Sequence, residues 1–316
     1  MKKRALGRSG IEVAPLAFGG NVFGWTVDEP TAFRLLDTFV DRGFNLVDTA
    51  DTYNKWVNGH RGGESETMIG NWMAQGGGRR ERIVIATKCG MEMPDVGKGL
   101  SKRHILRSVE DSLKRLRTDR IDLYQAHEED TATPIDETLE AYSELVRAGK
   151  VRAIGASNYS AAGLGAALDA SEGTKRPRYE TLQPRYNLYS REFEKELQAL
   201  CTKRGVGVIP YFPLAAGFLT GKYRTEADLA QSARGAGVKR YMDERGMRIL
   251  GALDEVAKSL RAKPAQVALA WVMARAAVAA PIASATSLAQ LRELMASADL
   301  VLDEAAMSRL DSASAL

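Results

Sequence analysis

At 316 residues the chain exceeds most single domains but stays within the size that an α/β barrel fills as one unit. Its 45% hydrophobic and 27% charged residues are ordinary for a soluble globular protein, and no apolar run approaches the ~20 residues of a membrane helix. A net charge of +4 with scattered Lys and Arg, two cysteines, and a basic N-terminus without an apolar stretch argue against a nucleic-acid groove, a disulfide framework and a secretory leader; the expected location is the reduced cytoplasm.

In chain order, the first element read is a β-hairpin over 4–14, turning at Ser9-Gly10. Short β-branched runs then alternate with amphipathic helical stretches. Strand 16–18 precedes helix 31–42, 45–48 precedes 64–73, 83–88 precedes 101–116, and 121–127 precedes 135–148. Strand 151–157 precedes helix 161–171, 181–186 precedes 192–204, 206–210 precedes 244–261, and 280–283 precedes 288–298. Stretches 264–275 and 303–312 read as extra helices. Eight alternations predict one α/β domain over 1–316, a closed parallel barrel, with an open doubly wound sheet as the competitor. No G-x-G-x-x-G follows a strand, so the usual dinucleotide half-fold has no support. Roughly thirty residues carrying Gly217, Gly221, Gly235 and Gly237 separate the seventh strand from its helix, and a connection this long is read as a cover over the strand ends.

In a barrel, catalytic groups come from the C-terminal ends of several strands. Here the ends of the second, third and fourth strands are Asp48, Lys88 and His127, with Tyr53 just past Asp48. Singly, each has a bland reading: a turn cap, a strand-end charge, a pocket-wall histidine, a loop aromatic. Jointly, they make a proton-transfer set. A phenol of free pKa about 10 is a poor acid, but a nearby ammonium favours its ionised form and a carboxylate holds that ammonium in place. His127 can donate a hydrogen bond to an oxygen gaining charge. Such a set suits protonation of an oxygen as hydride reaches its carbon, and since side chains carry no hydride, a cofactor is implied. Zinc would need more ligands than His60, His104 and His127 offer without a cysteine cluster, so no metal is expected. A Schiff-base aldolase using Lys88 is the rival chemistry, countered by the carboxylate of Asp48.

At these residues the sequence resembles the aldo-keto reductases, over nearly the whole chain. The resemblance rests on Asp48-Thr49-Ala50-Asp51-Thr52-Tyr53, on Glu64-Ser65-Glu66 with Ile69-Gly70, on Ala86-Thr87-Lys88, and on Tyr124-Gln125-Ala126-His127. It implies a (β/α)8 TIM barrel with an N-terminal β-hairpin and extra C-terminal helices, and a catalytic set of Asp48, Tyr53, Lys88 and His127 with Tyr53 as acid. It also implies NADP(H) as the favoured cofactor, NAD(H) as the alternative, and a small-molecule carbonyl substrate, with no nucleic-acid or membrane partner. Gly155-Ala156-Ser157-Asn158 is similar to the motif whose Ser157 and Asn158 hold the carboxamide together with Gln183, and Tyr211 falls on the nicotinamide face. Pro213, Leu214, Gly217, Leu219 and Lys222 resemble the loop over the pyrophosphate; Ser284, Thr286, Gln290 and Glu293 resemble the adenosine site. The family often carries a Lys or Gly, an Arg and an Asn where Ser284, Gln290 and Leu294 stand here, and loss of the positive groups at those positions counts against a tightly held 2′-phosphate. The short end of the chain implies an open substrate pocket, walled by Trp25 and Trp56. A second functional class is a non-catalytic regulatory barrel, like the channel-associated subunits of this fold, which would be expected to bear a partner-binding extension. Oligomeric state is not legible, because barrel helices expose apolar residues with or without a partner.

Overall fold

The computed structural model describes residues 1–232 and 235–315. Strands β1 (Arg4–Ala5) and β2 (Glu12–Val13) pair antiparallel as the expected hairpin. Gly7 is required there, because its φ is +59° and a Cβ would lie 2.2 Å from the Glu180 carbonyl oxygen. Leu6, Ile11 and Val13 of the hairpin pack with Leu46, Val84, Leu123, Ala153 and Ile209 of the strands, so the hairpin plugs one end of the interior.

Eight parallel strands follow: β3 (Ala17–Gly19), β4 (Leu46–Asp48), β5 (Val84–Cys89), β6 (Ile121–Ala126), β7 (Val151–Ser157), β8 (Tyr179–Gln183), β9 (Gly207–Val208) and β10 (Ile282–Ala283). They pair in chain order from β3 to β9, with β10 beside β3. The curl closes where Val208 bridges Val278 in parallel and the Ile282 N–H donates to the Pro210 carbonyl at 2.9 Å. This is the (β/α)8 barrel, its strands buried on both faces as helix-covered parallel strands must be.

Helices α1 (Glu29–Asp41), α2 (Glu64–Ala74), α3 (Lys102–Leu116), α4 (Ile135–Arg147), α5 (Ala161–Ser171) and α6 (Leu197–Arg204) cover the strands. Past β9 come α7 (Gly235–Val238), α8 (Glu244–Ser259), α9 (Pro264–Met273), α10 (Leu288–Ala296) and α11 (Glu304–Ser314). Among the described residues no helix is long and apolar enough to cross a membrane. Among the boundaries that differ from expectation, three have clear local reasons. α1 begins before Thr31 because Asp28 caps it, accepting from the Thr31 N–H at 3.0 Å, and Pro30 fits the first turn. β8 spans Tyr179–Gln183, not 181–186, because Pro184 has no N–H to continue the ladder. The helix expected over 192–204 starts at Leu197; Glu192–Glu194 forms a separate 3-10 turn, with Glu194 held by Arg191 and Tyr186.

Candidate active site

The barrel places Asp48 at the end of β4, Lys88 near the end of β5 and His127 one residue past β6. Lys88 is fully buried. Its Nζ lies 2.7 and 2.8 Å from the two Asp48 carboxylate oxygens, 2.8 Å from the Thr49 carbonyl and 3.0 Å from the Tyr53 hydroxyl. The Tyr53 hydroxyl also donates to Asp48 Oδ2 at 3.1 Å, and Gln183 Nε2 donates to Asp48 Oδ1 at 2.9 Å. The buried carboxylate is therefore paired and hydrogen-bonded on both oxygens, as its desolvation demands.

This geometry corrects one expectation. The Tyr53 hydroxyl is not drawn down by Lys88; burial pushes it well above the usual tyrosine range, and the negative charge and hydrogen bond of Asp48 push the same way. The ammonium spends its charge on Asp48, leaving a neutral pair beside the phenol. Burial draws Lys88 down while Asp48 opposes the shift. The resting phenol thus keeps its proton. Burial, with Lys88 and Lys55 adding to it, holds His127 well below the ordinary histidine range, so its imidazole is neutral at neutral pH. His127 Nδ1 lies 3.5 Å from the Thr52 hydroxyl, and the rings of Tyr53 and His127 stand 6.1 Å apart. Thr52 and the anchoring of Asp48 by Gln183 were not legible beforehand, since the first depends on how a loop folds over the strand ends and the second on two strands distant in sequence meeting across the barrel mouth.

A cleft of about 890 Å³ opens over this cluster. Asp48, Tyr53 and His127 line it, as do Ser157, Asn158, Gln183, Tyr211, Pro213, Leu214, Gly217, Lys222, Ser284, Thr286, Gln290 and Glu293. Lys88 lies beneath the lining. Two expected residues fall outside this lining: Trp25, read as a pocket wall, and Leu219, read with the pyrophosphate loop. Trp25 is outside the lining and packs edge-on against Trp56 at 5.8 Å, so it supports the wall that Trp56 presents. Leu219 is fully buried within the 3-10 stretch Ala215–Thr220 of that loop. The Tyr211 hydroxyl donates to Asn158 Oδ1 at 2.8 Å, and Asn158 Nδ2 donates to the His127 carbonyl at 3.0 Å. Asn158 therefore ties the Tyr211 ring to the His127 strand end, at the cost of a left-handed φ of +55°. The cover starts with further left-handed residues, Phe212, Ala215 and Ala216, ahead of Gly217 at φ +102°. Ala216 and Gly217 both line the cleft.

Near Lys88 lies a second pair, half-buried: the buried Glu66 accepts from Arg115 Nε at 2.7 Å and from the Thr87 hydroxyl at 2.6 Å. Asp51, buried, sits by both pairs with Oδ1 unpartnered. Burial, reinforced by Glu66, pushes its carboxyl well above the usual range. An unfolded aspartate ionises near ~3.9, so above that pH the folded state holds a proton that the unfolded state has lost, and the Asp51 contribution to stability declines as pH rises. Asp51→Asn, which mimics the neutral carboxyl, is therefore expected to match wild type near pH 4 and to gain a growing advantage toward neutrality. Urea midpoints across that range read this; a constant difference would contradict a protonated Asp51.

The aldo/keto reductase family profile matches residues 15–315. An uncharacterised oxidoreductase of Bacillus subtilis is 38% identical over 98% of this chain and 95% of its own length. An aldo-keto reductase of Alternaria alternata is 31% identical over 98% of this chain and 90% of that protein. A probable voltage-gated potassium channel β subunit of Arabidopsis thaliana is 33% identical over 95% of this chain and 92% of its own length.

Proposed function

The chain belongs to the aldo/keto reductase family of NAD(P)H-dependent oxidoreductases, and from that membership we propose that it reduces an aldehyde or ketone with Tyr53 as general acid and NADPH as the favoured donor. The observation that carries the reading is the unbroken set of contacts from Gln183 through Asp48 and Lys88 to the Tyr53 hydroxyl, opening on the cleft that His127 also lines. When bound, the nicotinamide cofactor supplies hydride to the carbonyl carbon. The residues present fit such a group. The cleft is at the upper end of the ~300–1,000 Å³ of small-molecule sites, and amide, aromatic, glycine, lysine and hydroxyl residues all line it. Ser157, Asn158, Gln183 and the Tyr211 ring would hold the nicotinamide end, Pro213, Leu214, Gly217 and Lys222 the pyrophosphate, and Ser284, Thr286, Gln290 and Glu293 the adenosine.

The side chains handle the proton. Neutral His127 offers a ring N–H to the substrate oxygen. As negative charge builds there, the Tyr53 proton transfers to it and the alcohol forms. The phenolate left behind stands 3.0 Å from the Lys88 ammonium, which Asp48 holds in place, and solvent restores the proton. Full burial of Lys88 on a bidentate carboxylate disfavours attack by its amine, so borohydride should trap no carbonyl on it. One apolar cluster drawing on residues from Ala14 to Ala313 supports a single domain, and two free, buried cysteines suit a reduced cytoplasm.

The test is NADPH consumption by the purified protein across a panel of aldehydes, ketones and sugars. One alcohol formed per cofactor oxidised is expected, with NADPH bound more tightly than NADH by fluorescence titration. Tight NADPH binding without reduction of any carbonyl would favour a regulatory barrel instead.

A further inference from the structure

The one positive group of segment 284–294, Arg292, is exposed and does not line the cleft, but the folded chain brings a lysine there from another element. Lys263, the residue before α9, lines the same cleft as Thr286, Gln290 and Glu293. Its Nζ lies 2.7 Å from Glu293 Oε2. The lysine is also placed by its backbone, since its N–H donates to Gln266 Oε1 at 2.9 Å while Gln266 Nε2 reaches the Glu293 carbonyl at 3.3 Å. Among the described residues lining the cleft, Lys222 and Lys263 are the only lysines or arginines. Lys222 belongs to the glycine stretch, its Cε 3.7 Å from where a Gly217 side chain would begin. That leaves Lys263 as the cation of the α10 wall.

We propose that Lys263, through its pairing with Glu293, is the residue by which this chain distinguishes a 2′-phosphate from a 2′-hydroxyl on the adenosine ribose. The inference rests on reading the cleft as the dinucleotide site. Its logic is charge exchange. The Lys263 side chain is 67% exposed, and an exposed ion pair is weak enough to give up its lysine to a better acceptor. A phosphomonoester, with nearly two negative charges and only acceptor oxygens, is that acceptor, and it repels Glu293. A hydroxyl instead donates to Glu293 and leaves the pair intact. The two side chains therefore pull selectivity in opposite directions.

Calorimetric titration of the full-length protein with 2′,5′-ADP and with 5′-ADP tests this without turnover. Lys263→Ala is expected to weaken 2′,5′-ADP by ~10-fold while 5′-ADP stays within ~2-fold, as loss of one charge-assisted phosphate contact requires. Glu293→Gln should strengthen 2′,5′-ADP several-fold, and Lys263→Arg should keep the wild-type preference, which covers the case in which the alanine variant disturbs the start of α9. Equal weakening of both ligands in Lys263→Ala, or no change in either, would overturn the assignment. If wild type bound neither ADP, the dinucleotide reading itself would fall, a result distinguishable from failure of Lys263 alone.

Discussion

Replacing Tyr53 with Phe is expected to cut the turnover of any accepted carbonyl by ~10³-fold, within the range that general acids contribute, while the Kd for NADPH stays unchanged. The ring still packs beside Trp56 and His127, so the cleft keeps its shape and only the proton is lost. The resting phenol is held protonated by burial and by Asp48, so no other group nearby is loaded in the same way: His127 is neutral, and Lys88 is committed to Asp48 and Thr49. Turnover within tenfold of wild type would mean that the proton comes from elsewhere.

The second large effect concerns Lys88. Lys88→Met should abolish turnover and also destabilise the fold by about 3–5 kcal/mol, because it leaves the Asp48 carboxylate buried without its counter-charge. Only Gln183 and Tyr53 would then remain to satisfy it. The double variant Lys88→Met with Asp48→Asn removes the stranded charge as well, so most of the stability should return while turnover should not. Urea unfolding alongside turnover separates the two roles. A double variant as unstable as the single one would show that the pair is not what the single change disrupts.

What could be read from the amino-acid order follows from locality. Strand ends are local, so Asp48, Lys88 and His127 could be assigned to neighbouring positions at one end of a barrel before any coordinates, and Tyr53 came with them through a short loop. Gln183 could be named but not its attachment to Asp48, a contact spanning 135 positions. Lys263 escaped notice for the same reason: it lies 30 positions from Glu293, just ahead of a helix inserted before β10, and only folding brings them together. Whether Trp25 and Leu219 border the cleft was not legible, because an apolar residue in a connecting segment faces either the cleft or the core, and spacing alone does not say which. The electrostatic error was of a different kind. Listing an ammonium near a phenol omits the desolvation of both and the carboxylate that claims the ammonium first.

The most direct measurement follows deuterium from NADPH labelled at both C4 positions into the product of a reducible aldehyde. The account predicts one deuterium on the carbinol carbon of every alcohol formed by wild type, with the hydroxyl proton drawn from exchangeable positions. Alcohol formed without deuterium on that carbon would contradict it.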